Sequence, residues 1–235
     1  MRALTPHECV AMQSFTFLSE EFISTCRVPA YETFLHSTDL TPAYEWEKRF
    51  LQHLQLDRPG KRWVLKSPDH VCGLEALFSV FPDAFIVQTH RNPLEVLRSS
   101  TRLTQVLHGL YGPRGDYEQV RARETRVLAE RTERFIQFRD HHPQLADRFI
   151  DVKYSAIVAN PLGAVRRIYQ QLETPLTELA AERMQQLAST RSRYRRRQTG
   201  AEPADMKQES VVEAGRFENY CSRFGLPSQE AGLRQ

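Results

Sequence analysis

Three short apolar runs constrain this chain more than any other feature in it. They are RWVLK at 62–66, AFIVQTH at 84–90 and RFIDVKY at 148–154, and each is followed within a few residues by a helix start. After the first, Ser67 is a capping residue and Pro68 suits the opening helical position. Asn92-Pro93 and Asn160-Pro161 do the same after the second and third. Apolar strands alternating with helices predict an α/β fold with a parallel sheet covered on both faces. In such sheets ligands sit beyond the carboxyl ends of the strands. Attention therefore falls on 66–70, 90–99 and 153–155.

The rest of the chain reads as helix. The apolar spacing predicts helices over 7–27, with Phe15, Leu18, Phe22 and Ile23 on one face, and over 29–37. Thr41-Pro42 opens another, running to about 56, and RPGK at 58–61 is a turn. Helices are expected from Ser67 to near Val80 and from Asn92 to about Leu107, with a loop at 109–116. A long amphipathic helix over 117–140 turns Val120, Val127, Leu128, Phe135 and Ile136 inward. Leu162, Val165, Ile168, Tyr169 and Leu172 fit one face of a helix after Asn160. Helices at 175–190 and 208–224, joined by a polar loop at 198–207, complete the pattern. The expected organisation is one domain over 1–225 and a tail at 226–235.

Composition excludes several classes. In 235 residues no run of eighteen apolar residues occurs, so no membrane-spanning helix is expected. The opening MRALTPHECV has no apolar signal core. Cys9, Cys26, Cys72 and Cys221 lie far apart with no Cys-x-x-Cys pair, which fits a reducing cytoplasm better than a disulfide framework. A net charge of +3 does not point to nucleic acid. Locally, RSRYRRR at 191–197 holds five arginines, which reads as a solvated face or as an anion-binding segment. The His141-His142 pair has no partners at metal-ligand spacing.

The strand ends are rich in anion-binding chemistry. Arg91 lies between a strand and a helix N-terminus, where free backbone N–H groups and the helix dipole favour an anion. Ser99 lies two turns past Asn92 on the same face. A guanidinium and a hydroxyl so spaced suit a phosphate, and equally suit an ion pair of Arg91 with Glu95 beside a serine on a polar face. Lys66 can neutralise a transferred oxyanion, and His70 can take a proton from a hydroxyl or be structural. Tyr154 can stack on a purine or plug the sheet edge.

RWVLKSPDHVCGLEALFSVFPDAFIVQTHRNPLEVLRSS resembles the central segment of PAPS-dependent sulfotransferases, especially their bacterial branch. Arg91 and Ser99, eight apart, match the arginine and serine of that family's 3′-phosphate motif, xRxPxxxxxS. FIDVKYSAIVANPLGAVRRIYQQL is similar to its later tyrosine segment, with Tyr154 in the place of the tyrosine that contacts adenine. LKSPDH resembles the region flanking the sulfuryl group, which makes Lys66 a sulfuryl contact and His70 the candidate base. The likeness extends from about residue 7 to about 225. It implies a three-layer, P-loop-NTPase-like parallel sheet. The implied reaction moves a sulfuryl group from PAPS to a hydroxyl of a small molecule, carbohydrate or lipid and releases PAP, with no metal required.

Two departures stand out. The family's first motif, GxPRSGTT, cradles the 5′-phosphosulfate, and nothing like it occurs here; Gly60 is the only glycine in the first sixty residues. The expectation is a domain without its first strand and phosphate loop, and little activity from this chain alone. The alternative reading is a non-catalytic or partner-dependent PAP-binding remnant or interaction protein. Lys66 and His70 are also four apart, against a tighter Lys-x-His in animal-type members. RSRYRRRQTG at 191–200 is the nearest counterpart of the family's basic loop.

Overall fold

The computed structural model describes residues 7–56, 60, 62–112, 115–195 and 211–227, without the side chains of 191–195 and 211–212. Most of the turn at 58–61, the loop at 198–207, the arginine side chains of 191–197 and all but two residues of the 226–235 tail lie outside these. The chain packs as two compact units, one of 1–84 with 99–141 and one of 85–98 with 142–235.

The first unit is helical. Helices α1 (Cys9–Gln13), α2 (Glu21–Thr25), α3 (Pro29–Ser37) and α4 (Thr41–Gln55) precede α5 (Leu74–Val80). The unit also takes the greater part of α6 (Pro93–Tyr111) and all of α7 (Tyr117–His141). Proline at the first turn starts both α3 and α4, as the sequence requires. On α7, Val120, Val127, Phe135 and Ile136 are buried and Leu128 half-buried. Phe138 stacks on Phe78 of α5 with ring centres 5.8 Å apart. Burying one such side chain stabilises the fold by about 1.5–3 kcal/mol.

The second unit carries the sheet. Strands β1 (Ile86–His90) and β2 (Phe149–Lys153) pair in parallel, with Ile86 opposite Phe149 and His90 opposite Lys153. Among the described residues five helices follow β2, beginning with α8 (Tyr154–Ala159), α9 (Pro161–Gln171), α10 (Glu178–Arg195) and α11 (Val211–Gly215). Asn160 caps α9 by accepting from the Gly163 N–H at 2.9 Å. Last comes α12 (Glu218–Phe224), which ends on Gly225 in the left-handed region at φ 58°. The Gly225 carbonyl accepts from Lys153 Nζ at 2.8 Å, which ties the end of α12 to the end of β2.

Three expectations need correction. RWVLK at 62–66 is not a strand: Val64 is 92% exposed, and the Lys66 carbonyl accepts from the Cys9 N–H in place of a ladder. Apolar content makes a strand only where a neighbour pairs its backbone, and among the described residues none flanks this run. The single helix over 7–27 is broken after Gln13, and Phe17 takes a left-handed conformation at φ 55°. Ser14 and Thr16 donate to the carbonyls of Ala11 and Gln13, competing with the helical ladder. Of the face assigned to this helix only Ile23 is buried, while Phe15 is 70% exposed. The helix expected from Ser67 to Val80 is interrupted too, as a 3-10 turn over Pro68–Cys72 and then α5.

Candidate active site

Of the candidate residues, Lys66, His70 and Ser99 belong to the first unit and Arg91 and Tyr154 to the second. In the first unit, Lys66 ends the exposed 62–66 run, and its ammonium pairs with the Glu8 carboxylate. His70 follows in the turn Pro68–Cys72. Ser67 caps that turn, accepting from the Asp69 N–H at 3.2 Å. Asp69 anchors it from the other side, with Oδ1 2.7 Å from Arg131 Nη2 on α7. The same guanidinium nitrogen lies 3.3 Å from Glu20, whose other oxygen is 3.0 Å from His36. The turn that presents His70 is therefore held by a half-buried network of charges. Sequence patterning missed Arg131, because one arginine among many on an amphipathic helix carries no signal of the carboxylates that meet it.

His70 is fixed by a phenol. Its Nδ1 lies 3.0 Å from the Tyr44 hydroxyl, and the two rings are tilted at 33°. Tyr44 is buried on the inner face of α4 and is close against Gly73. A Cβ at Gly73 would stand 2.9 Å from the Tyr44 ring, so the bare backbone there lets the phenol reach the imidazole. Burial pushes the His70 imidazole down to about 4, so it is neutral at pH 7 and carries a lone pair. Lys66 and His70 thus take different partners, Glu8 for one and Tyr44 for the other.

In the second unit, Arg91 follows β1 directly. Its guanidinium carbon lies 4.8 Å from the centre of the Tyr154 ring, and its Nε donates to Glu95 at 2.7 Å. The stacking joins two residues that the sequence places 63 positions apart, since β1 and β2 end side by side. The ion pair with Glu95, open as an alternative from spacing, is also present. A guanidinium has five N–H donors, so the Nε bond leaves both Nη groups for an anion. Asn92 Oδ1 accepts from the Leu94 N–H at 2.9 Å and caps α6. Ser99 lies further along α6 and is exposed.

His90, just before Arg91, is 2% exposed. Its Nδ1 lies 2.7 Å from the Tyr220 hydroxyl and its Nε2 2.8 Å from Asp151, with Phe224 stacked on the ring at 4.0 Å. This clamp fastens α12 to both strands and so braces the chain that presents Arg91 and Tyr154.

Comparison with known proteins places the family and the fold. Residues 1–178 match the sulfotransferase family. The chain is 27% identical over 197 residues to the omega-hydroxy-beta-dihydromenaquinone-9 sulfotransferase Stf3 of Mycobacterium bovis and of Mycobacterium tuberculosis. That match covers 80% of this chain and 48% of each relative, so the chain spans about half the length of the curated relatives it matches. The crystal structure of sulfotransferase STF1 from Mycobacterium tuberculosis superposes with a TM-score of 0.78 at 29% identity, covering 93% of this chain and 56% of that one. Sulfotransferase STF9 from Mycobacterium avium shares the fold with a TM-score of 0.80 at 24% identity, over 94% and 57%. With three quarters of its length matching, and with an α/β fold shared with these structures, this chain belongs to the sulfotransferase family.

Proposed function

We propose that this chain forms the acceptor-activating and 3′-phosphate-binding part of an enzyme that moves a sulfuryl group from PAPS to a hydroxyl. The observation that carries the reading is Arg91 stacked over Tyr154 at the paired ends of β1 and β2, in a member of the sulfotransferase family. On this reading Arg91 and Ser99 hold the 3′-phosphate of PAPS and Tyr154 meets the adenine. The fit is chemical: two Nη groups remain for a phosphate once Glu95 has taken Nε, and an aromatic face lies beside them.

In the reaction the acceptor oxygen forms a bond to sulfur while the bond from sulfur to the 5′-phosphate oxygen breaks. The acceptor proton goes to His70, and the departing PAP keeps the electron pair. Tyr44 fixes the ring that receives the proton, and burial keeps that ring neutral at pH 7, so that its lone pair is available. Lys66 neutralises the sulfuryl oxygens, exchanging Glu8 for the substrate. One such contact is worth roughly 2.7–4 kcal/mol in the transition state.

The Stf3 relatives are named for an acceptor hydroxyl on a dihydromenaquinone. We extend that to the class, an alcohol carried by a small molecule, carbohydrate or lipid. We infer a cytoplasmic setting, since the four cysteines are free thiols of the kind a reducing compartment maintains.

Calorimetry with PAP tests the donor side. Arg91→Ala weakens binding at least tenfold, and Arg91→Lys recovers only part of it because an ammonium cannot grip a phosphate with two parallel bonds. Equal affinity for wild type and Arg91→Ala refutes the assignment.

A further inference from the structure

Helix α4 carries a carboxylate on its buried face. Glu47 lies among Ala43, Tyr44 and Leu51 and is 1% exposed. One oxygen, Oε2, accepts from Gln13 Nε2 at 2.9 Å. The other, Oε1, is buried and has no well-aligned hydrogen-bond donor among the described residues, with the Cys9 thiol turned toward the carboxylate. A buried carboxylate oxygen left in this state is costly unless something else binds it. Facing the same carboxylate is the thiol of Cys9 on α1, itself 1% exposed. His70 completes the group: one ligand atom from each of Cys9, Glu47 and His70 lies within 4.8 Å of the others.

We propose that Cys9, Glu47 and His70 bind a single zinc ion. Three atoms no more than 4.8 Å apart all lie within about 2.8 Å of a common centre. Zinc bonds to sulfur, nitrogen and oxygen measure about 2.0–2.3 Å, so each ligand moves inward by less than about 1 Å. The donor set selects the metal. One thiolate, one imidazole and one carboxylate suit zinc, whereas calcium and magnesium take oxygen ligands. Each of two ligands is oriented by a neighbour, as metal ligands are: Gln13 holds the far oxygen of Glu47 and Tyr44 holds Nδ1 of His70. Those two neighbours also line a cavity of about 200 Å³ that reaches Asp69 and Cys72. Water fills the fourth position on the metal. Binding releases the Cys9 proton to solvent as the thiolate forms, so affinity rises with pH. Where His70 is the base, a consequence that rests on the proposed function, the zinc-bound form cannot accept the acceptor proton and is reversibly blocked.

The test uses the whole chain, stripped of metal by chelation under reducing conditions and titrated with cobalt(II) in place of zinc. The expected result is one equivalent bound, with a thiolate-to-cobalt charge-transfer band in the near ultraviolet that one equivalent of zinc abolishes. Cys9→Ser removes that band, Cys26→Ser at an exposed thiol retains it, and Glu47→Gln weakens cobalt binding at least tenfold. X-ray absorption on the zinc-loaded wild type gives one sulfur among nitrogen and oxygen neighbours, and needs no variant to fold. An absent band, a band that survives Cys9→Ser, or a zinc shell without sulfur overturns the proposal. None of these readouts depends on turnover, so they stand apart from the sulfotransferase reading.

Discussion

Arg131→Met is the sharpest probe of how the His70 turn is held. The guanidinium side chain is 23% exposed and meets Asp69 and Glu20, which are 15% and 11% exposed. Methionine fills much of the same space and removes the charge, leaving two partly buried carboxylates without the cation that bridges them. Breaking such a group by deleting one partner costs about 3–5 kcal/mol. In a chain of this length that lowers the thermal midpoint by roughly 6–20 °C. The cost depends on pH in a defined direction. Burial works to raise the Glu20 carboxyl, but the His36 hydrogen bond and the Arg131 charge outweigh it and hold it below its ordinary value. Its contribution is therefore full above the unfolded value and lost as pH falls through the folded one. Asp69 is pushed up by burial, which the Arg131 charge only partly offsets. It therefore costs stability at neutral pH, and that cost is relieved as pH falls through its raised value. Removing Arg131 moves both carboxyls upward, so the variant regains stability on protonating them and the gap to wild type narrows in acid. Urea unfolding followed by circular dichroism at pH 7 and at about pH 4.5 reads both effects. A loss below about 1 kcal/mol at pH 7, or an equal loss at the two pH values, refutes the reasoning.

Gly73→Ala places a Cβ 2.9 Å from the Tyr44 ring and 3.1 Å from Leu40, and should cost about 1–3 kcal/mol while shifting the His70 imidazole resonances; unchanged resonances would show that Tyr44 does not fix the ring. Tyr220→Phe leaves His90 Nδ1 without its hydroxyl partner in a buried site and should cost about 1–3 kcal/mol, read by urea unfolding against Tyr117→Phe as a control. An NMR titration should find His70 neutral down to about pH 4, so that folding is penalised increasingly as pH drops from the ordinary histidine range toward that value. A midpoint near the ordinary value would mean that the ring is solvated.

Helix starts were the most legible part of the sequence. Thr41-Pro42 and Asn160-Pro161 mark α4 and α9 to the residue or nearly so, because a proline in the first turn and a capping side chain act locally. The two strands that exist were legible as well, within two residues at each end, since 84–90 and 148–154 are both apolar and rich in β-formers. RWVLK has the same composition and makes no strand, because strand formation depends on a partner that composition does not reveal. The breaks at Phe17 and Gly73 were equally illegible, one arising from hydroxyls that bond backward and the other from a glycine pressed against Tyr44. The candidates Arg91 and Ser99 came from motif spacing, and Tyr154, Lys66 and His70 from their places after apolar runs, the first of which is not a strand, and from the family likeness. None of these signals pointed to Tyr44, Glu8 or Cys9, whose side chains reach their partners only through tertiary packing.

The clamp on His90 also sets a clock for synthesis. Its Tyr220 partner lies 130 residues later in the chain. At roughly 5–20 residues per second, the ribosome delivers Tyr220 about 6–26 s after His90. The helical unit needs nothing beyond residue 141 and can close within that interval. The sheet unit cannot, since it includes α12. β1 waits with one strand edge open until β2 follows 63 residues later, and with its histidine short of the Tyr220 hydroxyl for the whole interval, which makes the nascent chain, more than the finished protein, the form that needs a chaperone.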